Sequence, residues 1–523
     1  MKNAIILAAG KSNRFAPFTY EKPKGLFKVR GEVLIDRQIE QLRAAGVQQI
    51  VVVVGFMKER FFYLEEKYGV ILAVNNSFAT KGNLYSLYVA RAYLGNTYIC
   101  CADHYFLENP FLNDDDKSYR ACVWKHGKFN EFAVSISDVS AITHFSVGGD
   151  DSYAMVGPAY FSESFSKKYV QLMEKEIHDF GVGNMFWEEF YGRHRESLTL
   201  YAKIYPEEIL QEFESVDDLR QFDQDFLDNI DSSIIRNIVS VLHCNPHDIL
   251  NIVIIQKGLT NVSFRFCVDG KIYVYRHPGG TAVNLVDRKS ELLAQKKAYE
   301  LGLDASFIHM DVSGWKLSYY VDQLIDCDLR DADVRQKAMQ YLDKLHKVVD
   351  IDGMKRFDTY EEAVKLMQFA MVSKGNLFEE FSDFVTNNKK LHQYVQTDGL
   401  ARYAVCHNDV YSPNYLFTQD KQLYLIDWEY AGINDVANDI ACILCRGDYT
   451  DAEVEQYLEE YVGRALTKEE HRHYIACIAL CSFYWFCWGL YKGAVNDDDG
   501  FFFLPAYRSC RRYIKQALKE YEE

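Results

Sequence analysis

The 523-residue chain has no surplus of positive charge: 58 Lys and Arg stand against 75 Asp and Glu, a net charge of -17. Such a surface repels nucleic acid and anionic membranes, although a local basic pocket for a phosphorylated ligand stays open. No apolar run approaches the ~20 residues that span a bilayer. The richest stretch, Ile475 to Leu490, is shorter and carries Ser482 and Trp488 among its cysteines. The N-terminal MKNAIILAAGKSNR has too few apolar residues before Gly10 and Arg14 for a signal peptide, and reads as a buried first strand. The 13 cysteines make no disulfide or zinc framework. Cys442 and Cys445 form one CxxC on an apolar helix, Cys477 and Cys481 lie one helical turn apart, and no second pair follows at zinc-finger spacing. Reduced structural thiols in a cytoplasmic protein are the expectation. There is no internal repeat, low-complexity segment or Gly/Pro-rich linker.

What is present is length and apolar content. At ~100–200 residues per domain the chain suits two or more domains, and 48% hydrophobic with 25% charged residues excludes disorder. Aromatics reach 15%, with 37 Tyr and 34 Phe. The first hundred residues alternate strand and helix: Ala4–Ala8, a glycine loop, a helix from Leu34 to Ala45 ending at Gly46, the β-branched run Ile50–Val54, and Thr97–Ala102 ending at Asp103. These are βαβ units of a doubly wound, Rossmann-like α/β sheet. Acidic helical text then runs from Glu207 to Asp231, and a boundary is placed near 232. Beyond it come short strands (Ile252–Ile255, Val262–Val268, Ile272–Arg276) and then helices to the end. The expected domains are 1–231 and 232–523, the second divided into a β-rich lobe at about 240–325 and a helical lobe at about 326–523.

In the first domain Leu7-Ala8-Ala9-Gly10-Lys11-Ser12-Asn13-Arg14 is a strand, a small-residue turn, then a cation. Small residues let backbone N–H groups approach phosphates, and Arg14 can neutralise a leaving pyrophosphate. Lys24 adds a second cation within reach of the loop. Asp103 stands at the C-terminal end of its strand, where open α/β sheets place ligand groups. The segments Ile6-Leu7-Ala8-Ala9-Gly10, Arg14 and Lys22-Pro23-Lys24, with Asn83-Leu84-Tyr85-Ser86-Leu87 and Cys101-Ala102-Asp103-His104-Tyr105, resemble bacterial CTP:phosphocholine cytidylyltransferases over about residues 1–230.

That resemblance implies CTP bound by Leu7, Ala8, Ala9, Gly10, Ser12, Asn13, Asn83 and Ser86, with Asp103 holding Mg2+. The second acidic ligand is Glu188 or Glu214, each one methylene longer than the Asp the family pattern carries there. Ser12 replaces the usual second glycine, which is tolerable where its φ stays negative. Phe132, Phe186 and Trp187, with Tyr85 and a counter-charge at Glu131, are the aligned positions for cupping a trimethylammonium group. Good cation–π contacts are worth ~0.5–2 kcal/mol each. Trp187, beside two acids, is the favoured ring, while core packing is an equal reading for Phe132.

In the second domain His407-Asn408-Asp409-Val410-Tyr411-Ser412-Pro413-Asn414 has the His-x-Asp-x-x-x-x-Asn spacing of a kinase catalytic loop, where Asp orients the acceptor hydroxyl and Asn holds Mg2+. The apolar run Leu423–Ile426 then delivers Asp427 where a second metal-binding Asp belongs. Upstream, Gly258-Leu259-Thr260-Asn261 joins two strands and can cover phosphates, and Arg276 lies on a strand with Glu291 on the following helix as its expected partner. Residues 240–523 resemble choline kinases of the aminoglycoside-phosphotransferase-like superfamily. The matching text includes Val274-Tyr275-Arg276-His277-Pro278-Gly279 and Ile426-Asp427-Trp428-Glu429-Tyr430-Ala431-Gly432.

That resemblance implies a bilobal protein-kinase-like (α+β) domain in which Thr260, Asn261, Arg276 and Glu291 serve ATP. Glu429 and the i,i+3 pair Trp485 and Trp488 would face choline. Together the two halves are expected to phosphorylate choline with ATP and then transfer CMP from CTP to phosphocholine. Mg2+ is expected at both sites, with no nucleic-acid or membrane partner. Ethanolamine or another small amino-alcohol, or one active half beside a regulatory module, are the alternatives.

Overall fold

The computed structural model describes residues 2–112, 116–255, 261–279, 285–371, 378–495 and 500–523. It divides into two compact units, Met1–Ile249 and Leu250–Glu523. The boundary lies later than the expected 231/232, and local hydrogen bonding gives the reason. Glu21 accepts from the backbone N–H of Ser233 at 2.9 Å and from the Ser232 and Ser233 hydroxyls, while Lys22 donates to the carbonyls of Ile230 and Asp231. Helix Ser233–Leu242, capped by Ser232, is therefore anchored to the first unit.

In the first unit a seven-stranded sheet runs in the order Tyr201–Ile204, Tyr119–Ile136, Ile142–Phe161, Thr97–Cys101, Asn3–Ala8, Gln49–Val54, Ile71–Val74. The last four strands are mutually parallel, and Thr97–Cys101 meets the long hairpin antiparallel. Successive side chains of a strand point to opposite faces. Ala4, Ile6 and Ala8 accordingly pack with Val52 and Val54 on one side, and Ile5 and Leu7 with Val51 and Val53 on the other. Burial on both faces is why these strands read as unbroken apolar runs, and each fully buried Val or Ile contributes ~1.5–3 kcal/mol. The hairpin Tyr119–Ile136/Ile142–Phe161 had no such signal. Its outer half is exposed or half-buried, and its register slips repeatedly.

The second unit opens with a five-stranded antiparallel sheet in the order Leu250–Ile254, Asn261–Val268, Lys271–Pro278, Lys316–Tyr319, Phe307–Met310. Helix Arg288–Glu300, capped by Asp287, follows the third of these in sequence. The helical remainder is built around Lys468–Ala494. This 27-residue helix is long and apolar enough to cross a membrane, yet 89% of its apolar window is buried within the unit. A helix apolar all round belongs in a core. Two short antiparallel ladders, Tyr403–Cys406 with Gly432–Asp435 and Tyr415–Thr418 with Leu423–Leu425, flank the catalytic-loop motif.

Candidate active sites

In the first unit the strand ends converge on a cavity of about 760 Å3 lined by Ser12, Arg14, Lys24, Asp103, Glu188 and Glu214, among others. An adjoining cavity of about 340 Å3 is lined by Leu7, Ala8, Ala9, Gly10, Asn83 and Ser86. Asn13 lines the larger of the two. Asn83 accepts from the Trp187 backbone N–H at 2.8 Å, tying the helix start to the segment that carries Phe186 and Glu188. Ser12 has φ +48, so the expected negative φ is corrected. The left-handed region costs a non-glycine residue ~1–2 kcal/mol.

Lys24 is buried, with Nζ 2.6 Å from the Phe213 carbonyl and 3.0 Å from Asp103 Oδ2. Burial pushes the Asp103 carboxyl up, but Lys24 and His104 outweigh it and hold it down at about 2. His104 Nε2 stands 3.4 Å from Glu212, whose pKa is also lowered: burial raises it, and His104 more than reverses this. Deeper in, Glu188 pairs with Arg120 at 3.3 Å, yet burial outweighs Arg120 and lifts its carboxyl to about 7. Glu188 Oε2 is buried without a hydrogen-bond partner among the described residues. Arg14 pairs with Glu214 at the exposed rim. Carboxylates at Asp103, Glu188, Glu212 and Glu214 thus share one cavity, an all-oxygen donor set that fits a hard divalent cation. Glu212, His104 and Arg120 were missed, and the acidic text around Glu212 hid that residue among solvated neighbours.

The aromatic expectation is partly reversed. Trp187 is 2% exposed and packs edge-on against Phe161 in the core, away from the cavity. Tyr85 packs beside Tyr88 and lines neither cavity. The phenylalanines lining the cavity are Phe15, Phe129, Phe132, Phe186 and Phe213, with Phe132 and Phe186 5.9 Å apart and edge to face. Glu131 lies beside them, paired with Lys125.

In the second unit Asp409 Oδ2 accepts from Asn414 Nδ2 at 2.9 Å, and Oδ1 lies 2.5 Å from Arg446. His407 Nδ1 accepts from the Asp409 backbone N–H at 3.3 Å while Nε2 faces the Ile426 carbonyl at 3.0 Å. That pattern suits a neutral ring, and burial lowers the His407 pKa. Asp439 accepts from the backbone N–H groups of His407 and Asn408 at 2.9 and 2.7 Å, fixing the loop from behind.

Arg276 is buried and bridges Glu291 at 2.5 Å, with Asp427 at 3.5 Å, so the expected Arg276–Glu291 pair is present. Burial pushes the Asp427 carboxyl up to about 7, with Glu429 adding to it and Arg276 opposing. Asp427 Oδ1 has no hydrogen-bond partner among the described residues. With Asn414 alongside Asp409, this oxygen-rich corner also fits a divalent cation.

Glu429 was expected at the acceptor site. It accepts from Asn261 at 2.8 Å and Arg288 at 2.9 Å, on the Arg276 side. Trp485 and Trp488 do come together, 5.8 Å apart, joined by Tyr430. Arg446 lies over Trp485, and Lys492 near Trp488. Thr260 lies outside the described residues. Arg446 and Asp439 went unnoticed because neither sits in a motif. An acid directly before the apolar run Ile440 to Leu444 was the available signal for Asp439.

A sheet whose strand ends open on two adjoining cavities, and a five-stranded antiparallel sheet followed by a His-x-Asp loop, fit a nucleotidyltransferase and a phosphotransferase. The MobA-like NTP transferase domain pattern matches residues 4–115, and the choline/ethanolamine kinase pattern matches residues 252–504. Over 221 residues the chain is 32% identical to choline-phosphate cytidylyltransferase of Streptococcus pneumoniae, covering 42% of this chain and 96% of that one. Over 233 residues it is 36% identical to 2-aminoethylphosphonate cytidylyltransferase of Lancefieldella rimae, covering 43% and 93%. Its second half is 25% identical over 270 residues to protein LicA of Haemophilus influenzae, covering 49% and 99%.

Among solved structures it is similar to the CTP:phosphocholine cytidylyltransferase of Streptococcus pneumoniae, with 31% identity, a TM-score of 0.42, and coverage of 43% and 98%. It is also similar to choline kinase LicA of that organism, with 22% identity, a TM-score of 0.46, and coverage of 54% and 98%. The chain belongs to the cytidylyltransferases through its first unit, and joins to it a second unit that carries the choline/ethanolamine kinase pattern.

Proposed function

We propose that the chain makes CDP-choline from choline, ATP and CTP in two successive reactions, one per unit. One observation carries the reading. A choline/ethanolamine kinase pattern and a stretch similar to a choline-phosphate cytidylyltransferase lie in one chain, and phosphocholine, the product of the first chemistry, is the acceptor of the second.

In the second unit Asp409 accepts the proton of the choline hydroxyl as its oxygen attacks the γ-phosphorus of ATP and ADP leaves. Asn414 fixes the Asp409 carboxylate through Nδ2. Arg276, aimed by Glu291, offers positive charge to the phosphates. In the first unit a phosphocholine oxygen attacks the α-phosphorus of CTP and pyrophosphate leaves. Lys24 and Arg14 neutralise the developing charge, the Leu7–Gly10 backbone approaches the nucleotide, and Phe132, Phe129 and Phe186 cup the trimethylammonium. Mg2+ held by Asp427 and Asn414, and by Asp103 with Glu188, Glu212 or Glu214, would supply further charge to the phosphates. We assign both reactions to the cytoplasm, where 13 free cysteines stay reduced.

A second reading takes a primary ammonium instead, as in ethanolamine or 2-aminoethylphosphonate. The carboxylates of Glu188, Glu189 and Glu212 around the first cavity favour it, since a primary ammonium donates hydrogen bonds that a quaternary one cannot. The test is mass spectrometry of products from the purified full chain with ATP, CTP, Mg2+ and each of choline, ethanolamine and 2-aminoethylphosphonate. Phosphocholine and CDP-choline are expected. Faster formation of CDP-ethanolamine or of the cytidylylated phosphonate would replace choline, and phosphocholine without CDP-choline would leave only the kinase active.

A further inference from the structure

Arg446 ends the helix Ala437–Arg446, and its side chain, 12% exposed, reaches into the second unit's aromatic cluster. Its Nη2 lies 2.5 Å from Asp409 Oδ1, and its guanidinium carbon is 3.7 Å from the Trp485 ring centre and 4.1 Å from that of Tyr411. An organic cation is therefore already stacked on the rings and paired with the carboxylate that an amino-alcohol would use. The seating is incomplete. Arg446 Nε and Nη1 are buried without a hydrogen-bond partner among the described residues, and so is the Trp485 indole Nε1. Buried donors left unsatisfied make a contact costly to keep and easy to exchange. Arg335, by contrast, donates Nε and Nη2 to Glu460 and Nη1 to the Arg330 carbonyl.

We propose that Arg446 is a resident cation that keeps the acceptor's place and selects for cationic acceptors by exchange. The incoming ammonium displaces the guanidinium from Trp485 and Tyr411 and, in doing so, releases Asp409 Oδ1. A neutral alcohol has no charge with which to replace it. The inference rests on the amino-alcohol kinase reading above and adds a consequence for water. In hydrolysis a water oxygen bonds to the γ-phosphorus, the bond to the β–γ bridging oxygen breaks, ADP and phosphate leave, and the proton goes to Asp409. While Arg446 is in place its Nη2 occupies Asp409 Oδ1, and an attacking water cannot hydrogen-bond there. The exchange therefore opens Asp409 Oδ1 to an attacking hydroxyl only when a cationic acceptor has taken the place of Arg446.

The experiment measures ATP hydrolysis without acceptor, and choline phosphorylation, in the full chain carrying Arg446→Met, Arg446→Gln or Arg446→Lys. In the Met and Gln variants the KM for choline is expected to fall about tenfold, the scale of one cation–π contact, and acceptor-free hydrolysis is expected to rise. Lys, which keeps the charge, is expected to restore both towards the wild type. Methylguanidine is expected to inhibit Arg446→Met competitively with choline and the wild type much less. A raised KM with unchanged hydrolysis in Met and Gln would make Arg446 a fixed part of the acceptor site and overturn the exchange. Failure of the wild type to phosphorylate any amino-alcohol would instead overturn the reading of the unit itself. Two variants of different polarity guard against loss of folding in one.

Discussion

Single buried ionisable groups set how the second unit responds to pH, and His473 is the clearest. Its Nδ1 is 2.8 Å from Asp398 and its Nε2 2.7 Å from Asp435, so both ring nitrogens face carboxylates. Burial opposes the imidazolium, but the Cys477 sulfur and the Asp435 carboxylate outweigh it and push the pKa from 6.5 up to about 12. The folded state thus holds a proton that the unfolded chain releases above pH 6.5. The stability this gives is full below pH 6.5 and is lost as pH rises towards 12, at about 1.4 kcal/mol per pH unit. Thermal unfolding of the wild type between pH 6.5 and 9 should show that slope in the second unit's transition. His473→Gln, whatever its absolute stability, should lose it; an unchanged slope would show that His473 is neutral.

Among the elements, the junction between Gly82 and the turn at 182–185 positions the first site. Gly82 N–H donates to the Gly183 carbonyl at 3.0 Å and Leu84 N–H to that of Met185 at 3.2 Å. A Cβ on Gly82 would lie 2.2 Å from the Met185 carbonyl oxygen and 2.5 Å from that of Asn184. Both obstacles are backbone, so the helix start must move. Gly82→Ala is expected to destabilise the first unit by roughly 2 kcal/mol, within the usual range for a backbone clash. Asn83 and Phe186 move with the junction, so CTP and acceptor KM should both rise while kinase rates stay constant. Steady-state kinetics of both reactions on the same preparation measures this. Nothing in the sequence announces the contact, because a residue at 82 and a turn at 182–185 are neighbours only in space. The buried strands, by contrast, were readable to within a residue or two: Ala4–Ala8 is Asn3–Ala8, and Ile50–Val54 is Gln49–Val54.

For the whole molecule, the two candidate centres belong to separate compact units, so the chemistry is expected to divide cleanly. Asp409→Ala should abolish phosphocholine formation and leave CDP-choline synthesis from supplied phosphocholine intact. Asp103→Ala should do the reverse. Loss of both activities from either change, in a protein whose unfolding profile is unaltered, would refute two independent sites. The net charge of -17 is a property of the surface. Three of the site cations, Lys24, Arg120 and Arg276, are withdrawn from it into the interior, while Arg14 stays at an exposed rim.

The sequence by itself determined the two transferase halves, the alternating strands of the first and the positions of Asp103, Asp409, Asn414 and Asp427. Those follow from local spacing and from motifs whose residues lie close along the chain. The tertiary structure decided which aromatics meet a cavity, because a ring beside two acids in sequence, Trp187, can point into the core while Phe132 and Phe186 do not. It also decided that Glu429 turns towards Arg288 and Asn261, that Glu212 joins Asp103, and that Arg446 stacks on Trp485. Each of these is a contact between distant segments, where direction and burial, not residue type, fix the partner.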